Sequence, residues 1–257
     1  MKLNQAAEAS VETDGGRKSS SKNTERRGVD WSSLAPAMLS REELMSADRR
    51  ERLLADYPWL ELVSSEEMAA KHQAFMADHE PGADLWVFAY GSLIWNPTMH
   101  IAERRVATLG GYHRSFCLWA DIGRGCREYP GLFLGLDRGG QCRGVALKIK
   151  AEDVATESRL FFEREMIRNS YIPRWFNLMT DEGPIRGAGL VVNRAGSGYA
   201  GRLSVEEVAT CINQGKGHLG ACSDYFWNTH EHLMQVGIHD RGMLRIAHAL
   251  NLGQKSH

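Results

Sequence analysis

The chain has 257 residues, 43% hydrophobic and 25% charged, proportions ordinary for a globular protein and sufficient for one full domain with an extension or for two small domains. Its formal net charge of −1 removes any electrostatic case for a nucleic-acid partner, and no apolar run approaches the length of a membrane span. Met1-Lys2-Leu3-Asn4-Gln5 opens no apolar secretory signal. The five scattered cysteines, Cys117, Cys126, Cys142, Cys211 and Cys222, fit reduced thiols better than a disulfide frame or a zinc site, so a cytoplasmic location is expected.

Residues 1–30 are polar and charged, with Gly15-Gly16 and Ser19-Ser20-Ser21. They bury too little apolar surface to offset the entropy of ordering, and a disordered tail is expected. A helical N-terminal extension is expected over 31–83, its helical part spanning 40–79. Ser40 precedes Glu42-Glu43, an acidic first turn that suits the helix dipole, and Leu44, Leu53 and Leu54 supply a partial apolar stripe. Tyr57-Pro58 breaks the pattern. A second helix is expected after Ser64-Ser65, with Glu66-Glu67 in its first turn, and Pro81-Gly82 ends the extension.

The main domain is expected over 84–257. Leu85-Trp86-Val87-Phe88-Ala89-Tyr90 is a short apolar run stopping at Gly91, which reads as a buried strand. Further strand-like runs lie at Val106–Leu109, Tyr112–Trp119, Leu132–Leu136 and Arg143–Ile149, the last two separated by the hairpin signal Asp137-Arg138-Gly139-Gly140. A helix is expected over 152–169 and a strand over Gly187–Asn193. Two or three helices then close the chain. Ser204 with Glu207 three residues on forms a capping box, and Tyr225–Val236 and Met243–Leu250 carry apolar residues at helical spacing. Strands mostly in succession, with helices inserted and appended, predict an α+β fold, a curved sheet or small barrel with helices outside.

Two features carry chemistry. In Tyr90-Gly91-Ser92-Leu93-Ile94-Trp95 a buried strand stops at a glycine followed by a small hydroxyl residue. Glycine permits positive φ and close approach of a ligand, successive N–H groups in such a turn can form a concave anion site, and Ser92 adds a donor. A plain strand-ending turn is the other reading. In Phe161-Phe162-Glu163-Arg164-Glu165-Met166, helical spacing puts Glu165 inside the cluster of Val154, Phe161, Phe162 and Met166, and Glu163 at or beyond its edge. A carboxylate among aromatic rings is partly desolvated, which disfavours its charged form and makes it a competent proton shuttle. The other reading is a glutamate paired with a buried arginine, for which Arg164, Arg168 and Arg174 are candidates. The residues alone leave both pairs of readings open.

These segments resemble the ChaC-type glutathione-specific γ-glutamylcyclotransferases from Leu85 to about Leu250. The matching stretches are Trp86 to Pro97, Gly111-Tyr112-His113-Arg114-Ser115-Phe116-Cys117, and Arg124-Gly125 with Pro130-Gly131 downstream. They continue with Arg164-Glu165-Met166 and Tyr171-Ile172-Pro173-Arg174-Trp175, then Leu219-Gly220 with Tyr225 beyond. Each is weak alone; their order and spacing together are specific. Several members carry Arg after the Pro-Gly, where this chain has Leu132. The resemblance implies a small mixed β-barrel with flanking helices, and a loop of Tyr90, Gly91, Ser92 and Leu93 that holds the γ-glutamyl moiety. It also implies Glu165 as catalyst, Arg124 and Tyr225 as substrate contacts, and no metal or organic cofactor.

The implied reaction is attack by the α-amine of glutathione on its own γ-carbonyl, giving 5-oxoproline and Cys-Gly. No protein nucleophile is needed, in keeping with the lack of a Ser-His-Asp or Cys-His signature. The expected partner is the small-molecule substrate alone, with no nucleic acid, membrane or obligate protein. A cyclotransferase for other γ-glutamyl amino acids or amines, and a non-catalytic γ-glutamyl-binding regulator of cation transport, are the alternatives. His230-Glu231-His232 lacks zinc-protease spacing and, on a helix, points its histidines to opposite sides. Gly196-Ser197-Gly198-Tyr199-Ala200-Gly201 lacks the lysine of a phosphate loop and reads as a surface loop.

Overall fold

The computed structural model describes residues 39–254; the tail expected over 1–30 lies outside the described residues. Ser40 and Ser64 cap helices as their sequence contexts require. Their hydroxyls accept the N–H groups of Glu43 and Glu67, each at 3.1 Å, with acidic first turns behind them. Helices α1 (Arg41–Met45), α2 (Arg49–Asp56) and α3 (Ser65–Met76) result, with the turn at Pro58–Trp59 between α2 and α3.

This extension packs on the barrel. The Phe75 ring stacks on Trp175 at 4.8 Å, and Trp175 Nε1 donates to the Phe75 carbonyl at 3.2 Å. Arg50 donates to the Val63 carbonyl at 2.6 Å and pairs with Glu163 at 3.1 Å. Arg41 grips Glu157 with two 2.7 Å bonds. Val63 and Met68 are buried in the main core.

Five strands form a closed barrel in the order β1-β3-β2-β4-β5: β1 (Leu85–Ala89), β2 (Glu103–Ala120), β3 (Gly131–Ile149), β4 (Tyr171–Thr180) and β5 (Gly183–Val192). Closure comes from parallel contacts of β5 with β1 at Val87↔Ala188 and with β3 at Leu136↔Val191. Helix α4 (Val154–Glu165) links β3 to β4. The helices α5 (Val205–Gln214), α6 (Cys222–Gln235) and α7 (Arg241–Gln254) follow the barrel, and the Ser204–Glu207 capping box is formed in full. Among the described residues no helix is long and apolar enough to cross a membrane.

Three expectations are corrected, and one strand is added. The helical stretch expected to run from Ser40 to the Tyr57-Pro58 break is two helices, α1 and α2, parted at 46–48. Asp137-Arg138-Gly139-Gly140 does not reverse the chain: β3 runs straight through it, paired with β2 from Ala120↔Gly131 to Glu103↔Lys148. Between Gly110↔Gln141 and Tyr112↔Arg138 the register slips, and Gly111, Gly139 and Gly140 take φ of 84°, 101° and 71°. The positive-φ glycines thus form a bulge that bends a long two-stranded ribbon so that it can close into a barrel. The helix expected to reach 169 stops at Glu165, because 171–180 is claimed by pairing with β5. That strand, β4, goes unread in the sequence. Pro173 masks it, yet sits where β4 lacks β2 as a neighbour, since the β2 pairing involves only Met179 and Thr180.

Candidate active site

Strand β1 delivers Tyr90 to the barrel end, where the chain turns through a single 3-10 turn over Ser92–Ile94. The turn is closed by Ile94 N–H to the Gly91 carbonyl at 3.0 Å and by Asn96 N–H to the Ser92 carbonyl at 2.7 Å. Buried Arg114 on β2 fixes this loop from below. Its Nε donates to the Tyr90 carbonyl at 2.6 Å, another N–H goes to the Arg143 carbonyl at 2.7 Å, and the third contact is the Asp240 carboxylate. Gly91 has φ −139°, not the left-handed value that its sequence context invites. Space favours glycine there, since a Cβ would come within 3.2 Å of Tyr225 Oη.

The last turn of α4 meets this loop. Phe161, Phe162 and Met166 face the core, and Glu165 follows them inward with 16% of its side chain exposed, whereas Glu163 is 34% exposed and turns away to Arg50. Arg164 binds both parts of the site. Its Nε donates to Glu165 Oε1 at 2.7 Å, Nη2 to Ser92 Oγ at 3.1 Å, and Nη1 to Thr98 Oγ1 at 3.2 Å and to the Asn96 carbonyl. Thr98 has φ +58°, a conformation that costs a β-branched residue about 1–3 kcal/mol; its hydroxyl bond to Arg164 and its carbonyl bond to Arg41 at 3.2 Å hold it. The two readings of Glu165 thus coexist: it lines the cavity and it is paired with an arginine.

Three tyrosines line the recess beside Glu165: Tyr90, Tyr171 and Tyr225. Tyr171 Oη donates to the Leu134 carbonyl at 2.9 Å, and Tyr225 Oη accepts the Leu134 N–H at 3.4 Å. Desolvation, with a further push from the Glu165 carboxylate, raises all three phenols above their ordinary value. They therefore face the recess as neutral O–H groups. The recess opens through Ser92, Glu165, Tyr171 and Tyr225 into an outer cavity of about 240 Å³, just under the usual small-molecule range of roughly 300–1,000 Å³. One side of that cavity is formed by Arg124, Leu219 and His218, the other by the extension through Leu39, Glu43, Arg49 and Leu53. Tyr57 Oη and His218 Nδ1 join the two sides at 2.7 Å.

All the residues singled out in the sequence meet here. Tyr90, Gly91, Ser92, Leu93, Glu165 and Tyr225 line the inner recess, and Arg124 lines the outer cavity. Arg124 is buried, donates to the Ala221 carbonyl at 2.8 Å and lies 6.0 Å over the Tyr225 ring. Leu132 is fully buried and lines neither space. Among the described residues no group of three or more His, Cys, Asp or Glu side chains could hold a metal ion. Sequence reasoning passed over Arg114, Arg164 as the bridge, Tyr171 and the whole contribution of the extension. The signal available for Arg164 was its place between two glutamates at a helix end.

The ChaC-like protein family matches residues 85–252. Over 207 residues the chain is 33% identical to the glutathione-specific gamma-glutamylcyclotransferase of Escherichia coli (strain K12), covering 80% of this chain and 89% of that protein. It is 30% identical over 158 residues to glutathione-specific gamma-glutamylcyclotransferase 1 of Mus musculus, covering 60% of this chain and 70% of that protein. Its fold is similar to the crystal structure of a γ-glutamyl cyclotransferase specific to glutathione from yeast, with a TM-score of 0.61 at 18% identity over 66% of this chain and 96% of that one. On the family match and the extent of the Escherichia coli likeness, the chain belongs to the ChaC-like family.

Proposed function

We propose that this chain is a γ-glutamylcyclotransferase acting on glutathione, with Glu165 as its acid–base group. The observation that carries the reading is the placement of the Glu165 carboxylate in the recess, bridged by Arg164 to Ser92 of the loop. The names borne by its relatives support glutathione as the substrate.

In this reading the γ-glutamyl chain folds beside Glu165, where the recess opens into the outer cavity, so that its α-nitrogen reaches its own γ-carbonyl carbon. Holding that contact contributes at most roughly 7–11 kcal/mol to the barrier reduction. Glu165 takes a proton from the α-ammonium. The freed amine forms the new C–N bond, the γ-amide C–N bond breaks as Glu165 returns the proton to the departing nitrogen, and the second proton that the ring nitrogen sheds passes, again by way of Glu165, to the amine of Cys-Gly, which leaves as an ammonium beside 5-oxoproline. The N–H groups at the start of the Ser92–Ile94 turn lack intrahelical acceptors by position, and with Gly91 they suit the α-carboxylate or the developing oxyanion. One such donor is worth about 2.7–4 kcal/mol. The Tyr225 hydroxyl, whose oxygen already accepts the Leu134 N–H, has its own hydrogen left to donate. Arg124 offers a cation further out. The reaction as written needs no metal, cofactor or second chain. We place it in the cytoplasm, a reading supported by the five free thiols.

The test is incubation of the protein with glutathione, with γ-glutamylalanine alongside, and detection of 5-oxoproline and Cys-Gly. Product from glutathione in preference to γ-glutamylalanine bears the reading out. Glutathione binding without product in a folded protein would replace it with a binding role.

A further inference from the structure

The outer cavity holds a cation that the barrel does not supply. Arg49, at the start of α2, lines the same cavity as Ser92 and Glu165, although it stands outside the 85–252 stretch matched by the family. Three other arginines line that cavity, and each is engaged. Arg164 is bonded to Glu165 and Ser92, Arg168 grips Asp121 at 2.6 and 3.4 Å, and Arg124, the other cation open to the substrate, donates to the Ala221 carbonyl and has the Asp224 carboxylate at 3.9 Å. The adjacent Arg50 is committed to Val63 and Glu163. Arg49 makes one long bond, 3.3 Å to the Glu163 carbonyl, and among the described residues it has no carboxylate within ion-pair distance. Burial pushes its guanidinium down; the more distant Glu43 and Glu163 carboxylates offset part of that, and Arg50 and Arg164 add repulsion. A part-buried guanidinium with no ion-pair partner at contact distance can take a carboxylate that enters the cavity.

On the proposed reaction, the substrate has two carboxylates. The α-carboxylate shares a carbon with the reacting nitrogen, so it lies at the Glu165 end of the cavity, by the Ser92 loop. The glycine carboxylate is at the far end of the tripeptide and must reach the outer cavity. We infer that Arg49 of the N-terminal extension binds the C-terminal carboxylate of the peptide substrate and thereby sets a preference for glutathione over γ-glutamyl compounds that lack that charge. The inference rests on the proposed function, and it assigns to the extension a share of substrate selection.

The experiment compares glutathione with its C-terminal glycinamide on the full chain. Arg49→Met is expected to lower kcat/KM for glutathione roughly 10–100-fold, mainly through KM, as expected for a lost charged hydrogen bond. It should change turnover of the glycinamide less than about three-fold, within the scatter of an uncharged contact. The ratio between the two substrates is read in one preparation, so partial misfolding cancels, and Arg49→Lys should recover part of the preference. Calorimetry of both ligands in a Glu165→Gln background reads the same discrimination without turnover. Equal losses on both substrates, or none on glutathione, would overturn the role of Arg49. Wild-type protein that binds glutathione more tightly than the glycinamide but makes no product would sink the reaction and leave Arg49 standing.

Discussion

Arg164 and Glu165 are consecutive residues joined by a 2.7 Å hydrogen bond, and the same guanidinium reaches Ser92 at 3.1 Å. A planar fork with five donors can span a carboxylate, a hydroxyl and a carbonyl at once; an ammonium cannot. Arg164→Lys is therefore not conservative. It should lower kcat on glutathione about 10–10²-fold, the scale set by ångström-level misplacement, with a smaller effect on KM. A lysine variant with wild-type kcat would show that the bridge does not position Glu165.

Glu165→Gln keeps the shape and the Arg164 contact but removes the proton acceptor. Turnover should fall by ~10²–10⁴ while the circular dichroism and melting curve stay near wild type. Glu163→Gln is the control. Its partner Arg50 retains the Val63 carbonyl at 2.6 Å, and the pair is part-exposed, so activity should stay within about two-fold, in line with the small worth of such pairs. Comparable losses in both variants would remove Glu165 from its role.

Gly91 tests the loop. A Cβ there would sit 3.2 Å from Tyr225 Oη, so Gly91→Ala must displace the phenol or the loop by a few tenths of an ångström. Such overpacking costs typically 1–3 kcal/mol. In a double-mutant cycle the cost should shrink when Tyr225→Phe removes the hydroxyl that Cβ meets. If the two substitutions add independently, the two groups do not touch in the way the geometry requires.

The barrel was legible where residues repeat at spacing two or end at a glycine: β1, both halves of β2 and β3, and the capped helices at Ser40, Ser64 and Ser204 all lie where their patterns place them. What escaped was set by distant pairing. Gly139-Gly140 makes a turn in a short hairpin and a bulge in a ribbon whose partner, Gly111, gives way at the same level, and only the full register tells the two apart. The position of Glu165 inside the aromatic face of α4 followed from helical spacing. Arg164 stood among three candidate partners for it, and helical spacing could not choose it, because neighbours on a helix point about 100° apart and meet here only where the helix ends. Arg114 reaches from β2 to the loop after β1, and Arg49 from α2 to the end of α4 and the outer cavity, across separations that no local pattern encodes.

The extension walls the outer cavity, and its anchor titrates. Glu157 has 2% of its side chain exposed and takes two 2.7 Å bonds from Arg41, with a third from the His100 N–H at 3.2 Å. Burial raises such a carboxyl, but here the Arg41 fork and the His100 amide outweigh it and hold Glu157 below its ordinary value. For a carboxyl depressed on folding, the stabilisation is complete above its unfolded value and is lost as pH falls through the folded one. Acidification from about pH 5 downward, the range where an unfolded carboxyl titrates, should thus loosen α1 and α2 before the barrel. Hydrogen exchange over 41–56 should quicken at pH 4 relative to pH 7, after correction for the intrinsic rate, while β2 and β3 stay protected. Glu157→Gln should bring the faster exchange to pH 7 and flatten the dependence. Exchange in α1 that follows the barrel at both pH values would mean that the Arg41–Glu157 pair does not hold the extension in place.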